Sequence, residues 1–255
     1  MSCTTAGFCA VDAAPDRLAL SPVTAPELVT SIAELRAGLA GRRVALVPTM
    51  GALHTGHLAL VERAAELADA VVVSIFVNPL QFGPNEDFSK YPRAFADDCA
   101  RLEAEGVDIL FAPGAAEMYP EGAVTKISVD GIGDRLDGAS RPGHFTGVAT
   151  VVAKLFHVTE PDRAYFGQKD AAQLAVLRQM VRDLNFGVEV VACPIVRDAD
   201  RLALSSRNKY LSASDRQHAL ALHRALQAME ARLSGGERSS KTLVEEGTEV
   251  LRSEA

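Results

Sequence analysis

Two histidines three residues apart, His54 and His57, close the run PTMGALHTGH at residues 48–57. Gly51 and Gly56 sit where a backbone must pass close to a ligand, and the run leads into a helical pattern. The first turn of a helix offers unpaired N–H groups and a dipole that favour an anion. Two imidazoles there can both face one phosphate group and stabilise charge that grows during reaction. The plainer alternative is a pair of surface or capping histidines. Three later clusters have the same character: GASRPGHFTGV (138–148) with Arg141 and His144, FGQKD (166–170) with Lys169, and LALSSRN (202–208) with Ser205, Ser206 and Arg207. Each also has a bland reading, as a mobile connector or a turn held by Ser-to-backbone bonds. NPLQFGPNEDFSKYPR (78–93) is either a surface loop rich in turn formers or a substrate loop behind a strand.

The elements that must position these residues alternate between strand and helix. Val44–Pro48 reads as a strand, Gly56–Ala68 as a helix with Leu58, Val61, Ala65 and Ala68 on one face, and VVVSIFV at 71–77 as a central parallel strand covered on both sides. Ala94–Glu105 is an expected helix stopped by Gly106, followed by strands at Val107–Phe111 and Val124–Val129. Further helices are expected at Gly147–Val158 and Asp170–Asp183, and strands at Ala164–Phe166 and Val188–Val191. This rhythm implies an α/β, doubly wound parallel sheet with ligands at the carboxyl ends of its strands. A boundary falls near Asn185–Gly187, giving one domain through residue 186 and a second, mainly helical one over 187–255. Ser212-Ala-Ser-Asp215 reads as a capping box for a helix through Leu233, with a last helix from about Thr242.

The chain has 255 residues, 48% hydrophobic and 23% charged, with a net charge of −7. That composition is globular, and it lacks the basic footprint of a nucleic-acid binder. Cys3, Cys9, Cys99 and Cys193 have no metal-finger or C-x-x-C spacing and read as thiols of a reducing compartment. No signal peptide or apolar run of membrane-spanning length is present, so a cytoplasmic setting without membrane contact is expected. Residues 1–25 read as a loosely ordered arm.

HTGH is neither a Walker loop nor a dinucleotide fingerprint. It resembles the HIGH motif of nucleotidylyltransferases and class I aminoacyl-tRNA synthetases. PTMGALHTGH, SIFVNPLQFG, YPR, ASRPGHFTGV, FGQKD and LALSSRN occur together in the order found in the pantothenate synthetase (pantoate–β-alanine ligase) family, from about Arg42 to Leu211. The resemblance implies a Rossmann-like domain, a small C-terminal lid and a homodimer. It also implies a two-step reaction, in which pantoate and Mg·ATP give pantoyl adenylate and pyrophosphate, and β-alanine then displaces AMP.

Carried over by position, the ATP loop is Met50, Gly51, Ala52, Leu53, His54, Thr55, Gly56 and His57, with His57 as acid and His54 as its phosphate-binding companion. Gly167, Gln168, Lys169, Asp170 and Val196 fall where the family contacts nucleotide, and Leu204, Ser205, Ser206 and Arg207 match its mobile phosphate-binding segment. Gln81 and Gln173 hold pantoate, with Arg141 and His144 also assigned to the acid and amine substrates. Asp97 and Asp98 lie near a magnesium-side carboxylate. Lys169, Arg207 and Mg²⁺ would offset repulsion between a carboxylate and a phosphate. Four departures from the family pattern stand out: Gln168, Ala171 with Ala172, Arg201 at a usual glycine, and a chain end at Ala255 that would leave the lid incomplete. A different adenylyltransferase, or a catalytically weakened binding protein, are the competing readings.

Overall fold

The computed structural model describes residues 25–84, 86 and 88–254; the first 24 residues of the expected arm, with Cys3 and Cys9, lie outside them. The elements run β1 (Glu27–Val29), α1 (Ile32–Leu39), β2 (Val44–Thr49), α2 (Thr55–Ala65), β3 (Ala70–Ile75), α3 (Phe95–Ala104), β4 (Ile109–Phe111) and α4 (Ala115–Met118). They continue with α5 (Asp137–Ser140), α6 (His144–Thr159), β5 (Arg163–Gly167), α7 (Ala171–Asp183), β6 (Glu189–Cys193), α8 (Ala213–Ala219), α9 (Ala221–Ser234) and α10 (Ser240–Ser253).

Six strands form one sheet in the order β1-β4-β3-β2-β5-β6, every pair parallel. Side chains alternate along each strand, so β2 sends Val44 and Leu46 to one core and Ala45 and Val47 to the other. The first core packs α1, α6 and α7 on the sheet; the second packs α2 and α3. Helix α6 is apolar nearly all round, and residues such as Val148, Val152 and Phe156 are buried along it. From β2 the chain winds outward through β3 and β4, then returns to lay β5 on its other side. The switch point therefore lies between β2 and β5, where a crevice opens at the carboxyl ends.

Three local expectations change. Val124–Val129 forms no strand: the sheet ends at β1 and β6, Val124 is 86% exposed, and the Ile127 N–H donates to Thr150 Oγ1 at 3.0 Å. β-branched residues favour a strand only where a partner strand is available. The helix behind the Ser212–Asp215 capping box divides at Leu220 into α8 and α9. The sheet also continues past residue 186, since β6 is its edge strand. Helices α9 and α10 pack closely enough that a Cβ at Gly247 would meet Met229 Sδ at 2.6 Å.

Candidate active site

The loop after β2 is shaped by hydrogen bonds from beneath. Thr49 Oγ1 donates to the Ser74 carbonyl at 2.8 Å and accepts the Gly51 N–H at 3.2 Å. Gly51 and Ala52 both take positive φ, +78° and +52°. A Cβ at Gly51 would stand 3.0 Å from Asp98 Oδ2, so glycine fits both the backbone angle and the space. The Asp98 carboxylate, 2% exposed on the first turn of α3, accepts the N–H groups of Ala52 at 2.8 Å and Leu53 at 2.7 Å.

His54 then caps α2. Its Nδ1 accepts the Gly56 N–H at 3.2 Å, and His57 Nδ1 accepts the His54 N–H at 3.3 Å. A Cβ at Gly56 would lie 2.9 Å from the His54 ring, which accounts for the glycine between the histidines. The rings stand 4.0 Å apart at 31°. Burial, then the neighbouring His54 and Lys169, pull His57 down to about 3. Burial, then Lys169 and Arg101, lower His54 as well. Each ring is thus neutral at pH 7, and because Nδ1 accepts, the proton sits on Nε2.

At the end of β3, Asn78 is buried and uses its whole amide. Its Oδ1 accepts from Leu80 N and from Tyr119 Oη at 2.9 Å, while Nδ2 donates to the Gly147 carbonyl and to Gln81 Oε1 at 3.2 Å. Gln81 is held with its Nε2 3.0 Å from Met50 Sδ. Helix α6 begins at His144, three residues ahead of the expected start, and that places His144 over this turn. Arg141 can only donate, so at 3.1 Å His144 Nε2 accepts from it and His144 Nδ1 donates to the Gln81 carbonyl at 2.8 Å. Arg141 is also paired in bidentate fashion with Glu86. Its charge is therefore already met within the protein.

The opposite wall comes from β5, α7 and the segment after β6. Lys169 Nζ lies 3.0 Å from Asp170 Oδ1, beside Gln173 on the first turn of α7. Residues 196–204 fold back on themselves, with an Arg197–Ala203 bridge and the Leu204 N–H donating to the Val196 carbonyl at 3.0 Å. Arg201 turns this hairpin at φ +76°. Arg216 of α8 ties it down through Asp198 at 2.6 Å and Asp200 at 2.7 Å. The Arg207 guanidinium lies 5.6 Å from the centre of the Tyr91 ring.

One cleft gathers Met50, His54, Gly56, His57, Gln81, Arg141, His144, Gly167, Lys169, Asp170, Gln173, Val196, Leu204, Ser205, Ser206 and Arg207. Gly51, Ala52, Leu53, Thr55 and Gln168 do not line it: the first three face the Asp98 brace, and Thr55 and Gln168 are exposed. Asp97 and Asp98 do not line it either. Asp97 is exposed, both oxygens of Asp98 accept backbone N–H, and no group of three or more His, Cys, Asp or Glu among the described residues is placed to hold a metal. These two carboxylates do not fit a magnesium ion in the cleft. Asn78, Glu86, Tyr91 and Tyr119 belong to the site's construction; the segment NPLQFGPNEDFSKYPR contains the first three without singling them out, and no motif marks Tyr119. No helix among the described residues is long and apolar enough to cross a membrane.

The family model described as pantoate-beta-alanine ligase matches residues 24–255. A pantothenate synthetase of Acidobacterium capsulatum is 64% identical over 213 residues, 84% of this chain and 71% of its own length. The crystal structure of pantothenate synthetase from Thermus thermophilus superposes with a TM-score of 0.85 at 56% identity, covering 89% of this chain and 82% of that one. A pantoate-beta-alanine ligase from Francisella tularensis, complexed with beta-gamma ATP and beta-alanine, superposes with a TM-score of 0.75 at 34% identity, covering 89% and 86%.

Proposed function

For a chain that belongs to the pantoate–β-alanine ligase family, as this one does, we propose ATP-dependent ligation of pantoate and β-alanine through pantoyl adenylate, with release of pyrophosphate and AMP. The observation that carries the reading is the cleft itself: two neutral imidazoles and Lys169 share it with the amides of Gln81 and Gln173. The Francisella tularensis relative with beta-gamma ATP and beta-alanine supports the choice of substrates.

In the first step a carboxylate oxygen of pantoate bonds to the α-phosphorus, and the bond to the β-phosphate oxygen breaks. Gln81 and Gln173 hold the acid as neutral partners, leaving its attacking oxygen charged. Lys169 and Arg207 offset the repulsion between two anions. The Nε2–H groups of His54 and His57 donate to the departing pyrophosphate side. His57 works here as a hydrogen-bond donor through its Nε2–H, its ring kept neutral by desolvation. In the second step the amine of β-alanine attacks the acyl carbon and AMP leaves. ATP carries Mg²⁺ as its counter-ion in this reading, since no cluster of three or more His, Cys, Asp or Glu among the described residues is placed to receive the ion. The segment after β6 supplies the lid, and the family resemblance adds a homodimer and a cytoplasmic setting.

Pyrophosphate exchange into ATP, with and without pantoate, tests the reading. Pantoate-dependent exchange is expected before any β-alanine is added. Exchange indifferent to pantoate would point to another acid, and absence of exchange would remove the adenylate.

A further inference from the structure

The Asp98 carboxylate lies outside the cleft, yet it reaches the loop that carries both histidines. Its two oxygens are engaged by consecutive backbone N–H groups, Ala52 at 2.8 Å and Leu53 at 2.7 Å. Those residues follow Gly51, and Ala52 holds φ +52°, a conformation that a non-glycine residue keeps only where its surroundings enforce it. The next residue is His54, whose backbone N–H is the group that His57 Nδ1 accepts. A shift of the 51–53 backbone therefore moves the donor that fixes the His57 tautomer. Asp98 also sits on the first turn of α3, where the helix dipole favours its negative charge.

From this chain of contacts we infer that Asp98 is a positioning residue: it holds the Gly51–Leu53 turn so that His54 and His57 both present Nε2–H to the cleft. The inference rests on the ligase reading above. It assigns Asp98 no contact with substrate or metal.

Asp98→Asn keeps the shape but places an amide N–H₂ against one of the two backbone donors. First-step turnover, read by pantoate-dependent exchange, is expected to fall about 30- to 100-fold, since misplacement by around 1 Å costs that much. KM for ATP should stay within about twofold, and the magnesium concentration for half-activation should not move. The ring ¹⁵N shifts of His54 and His57 should change from a single Nε2–H tautomer toward a mixture. Asp98→Glu, which keeps the charge and can still accept both bonds, should recover part of the rate and serves if the Asn variant does not fold. Unchanged turnover with unchanged ring shifts overturns the inference, as does loss that saturating magnesium reverses. Failure of the parent protein to exchange at all strikes the ligase reading instead, while the ring shifts still report on Asp98.

Discussion

The two sides of the cleft are unlike in construction. On one side, residues 49–57 are bound from below by Thr49, Asp98 and the reciprocal His54–His57 cap, with Asp98 only 2% exposed. On the other, the 196–204 hairpin is tied by Arg216 to Asp198 and Asp200, all about a third exposed, and turns on Arg201 at φ +76°. Buried hydrogen bonds to a charged group resist displacement, whereas exposed ion pairs are weak and screened. The first side is built to stay fixed while charge develops. The second is held by weaker ties, which on the function proposed above would let it adjust as it brings Ser205, Ser206 and Arg207 to the nucleotide.

The largest expected effect lies on the fixed side. His57→Ala should slow pantoate-dependent exchange by about 10²-fold or more, with ATP affinity changed far less. Near-normal exchange in that variant would sink the role given to the ring. The same histidine gives a pH signature. Between its ordinary 6.5 and about 3, the unfolded chain binds a proton at residue 57 that the folded chain does not. Stability should therefore fall as pH drops through that window and be level above it, with a slope from this group of at most about 1.4 kcal/mol per pH unit. Thermal unfolding of the parent and His57→Gln from pH 7.5 to 4.5 checks this; equal slopes in the two proteins would contradict a neutral, desolvated ring.

On the adjustable side the effects are smaller. Arg216→Ala should raise KM for ATP about threefold to tenfold by lowering the fraction of hairpin in its competent form, with kcat affected less. If kcat instead collapses as it does for His57→Ala, the hairpin is as fixed as the loop and the contrast fails. Arg201→Gly removes a left-handed side-chain residue but gives the unfolded chain more freedom, so the net gain should be under about 1 kcal/mol, near 2 °C in Tm. A drop in Tm would mean that the Arg201 side chain contributes more than its backbone angle costs.

Much of the frame was legible because it is local. The alternation of apolar strands and amphipathic helices, the β-branched run in β3 and the Ser212–Asp215 cap all act within a few residues of themselves. Strand β1 has three residues, too short to display a period, and gave no signal at all; β4 is equally short, but its apolar run between Gly106 and Pro113 was legible. Val124–Val129 misled for the opposite reason. Its composition suits a strand, but strand formation is decided by a neighbour's backbone.

For the site, residue types and order determined which chemistry was available: histidines at a helix start, cations behind strands, amides without charge. The sequence also determined that Gly51 and Gly56 mattered. What only the tertiary structure decided was the state and direction of those groups. Arg141 is a lone cation in sequence but is met by Glu86, 55 residues earlier. Asp98 looks like a metal carboxylate until its oxygens are found on backbone N–H groups 45 and 46 residues away. His57 is neutral because burial removes the water that would stabilise its charge. Desolvation and pairing depend on what surrounds a group in space, and a linear chain does not state its own surroundings.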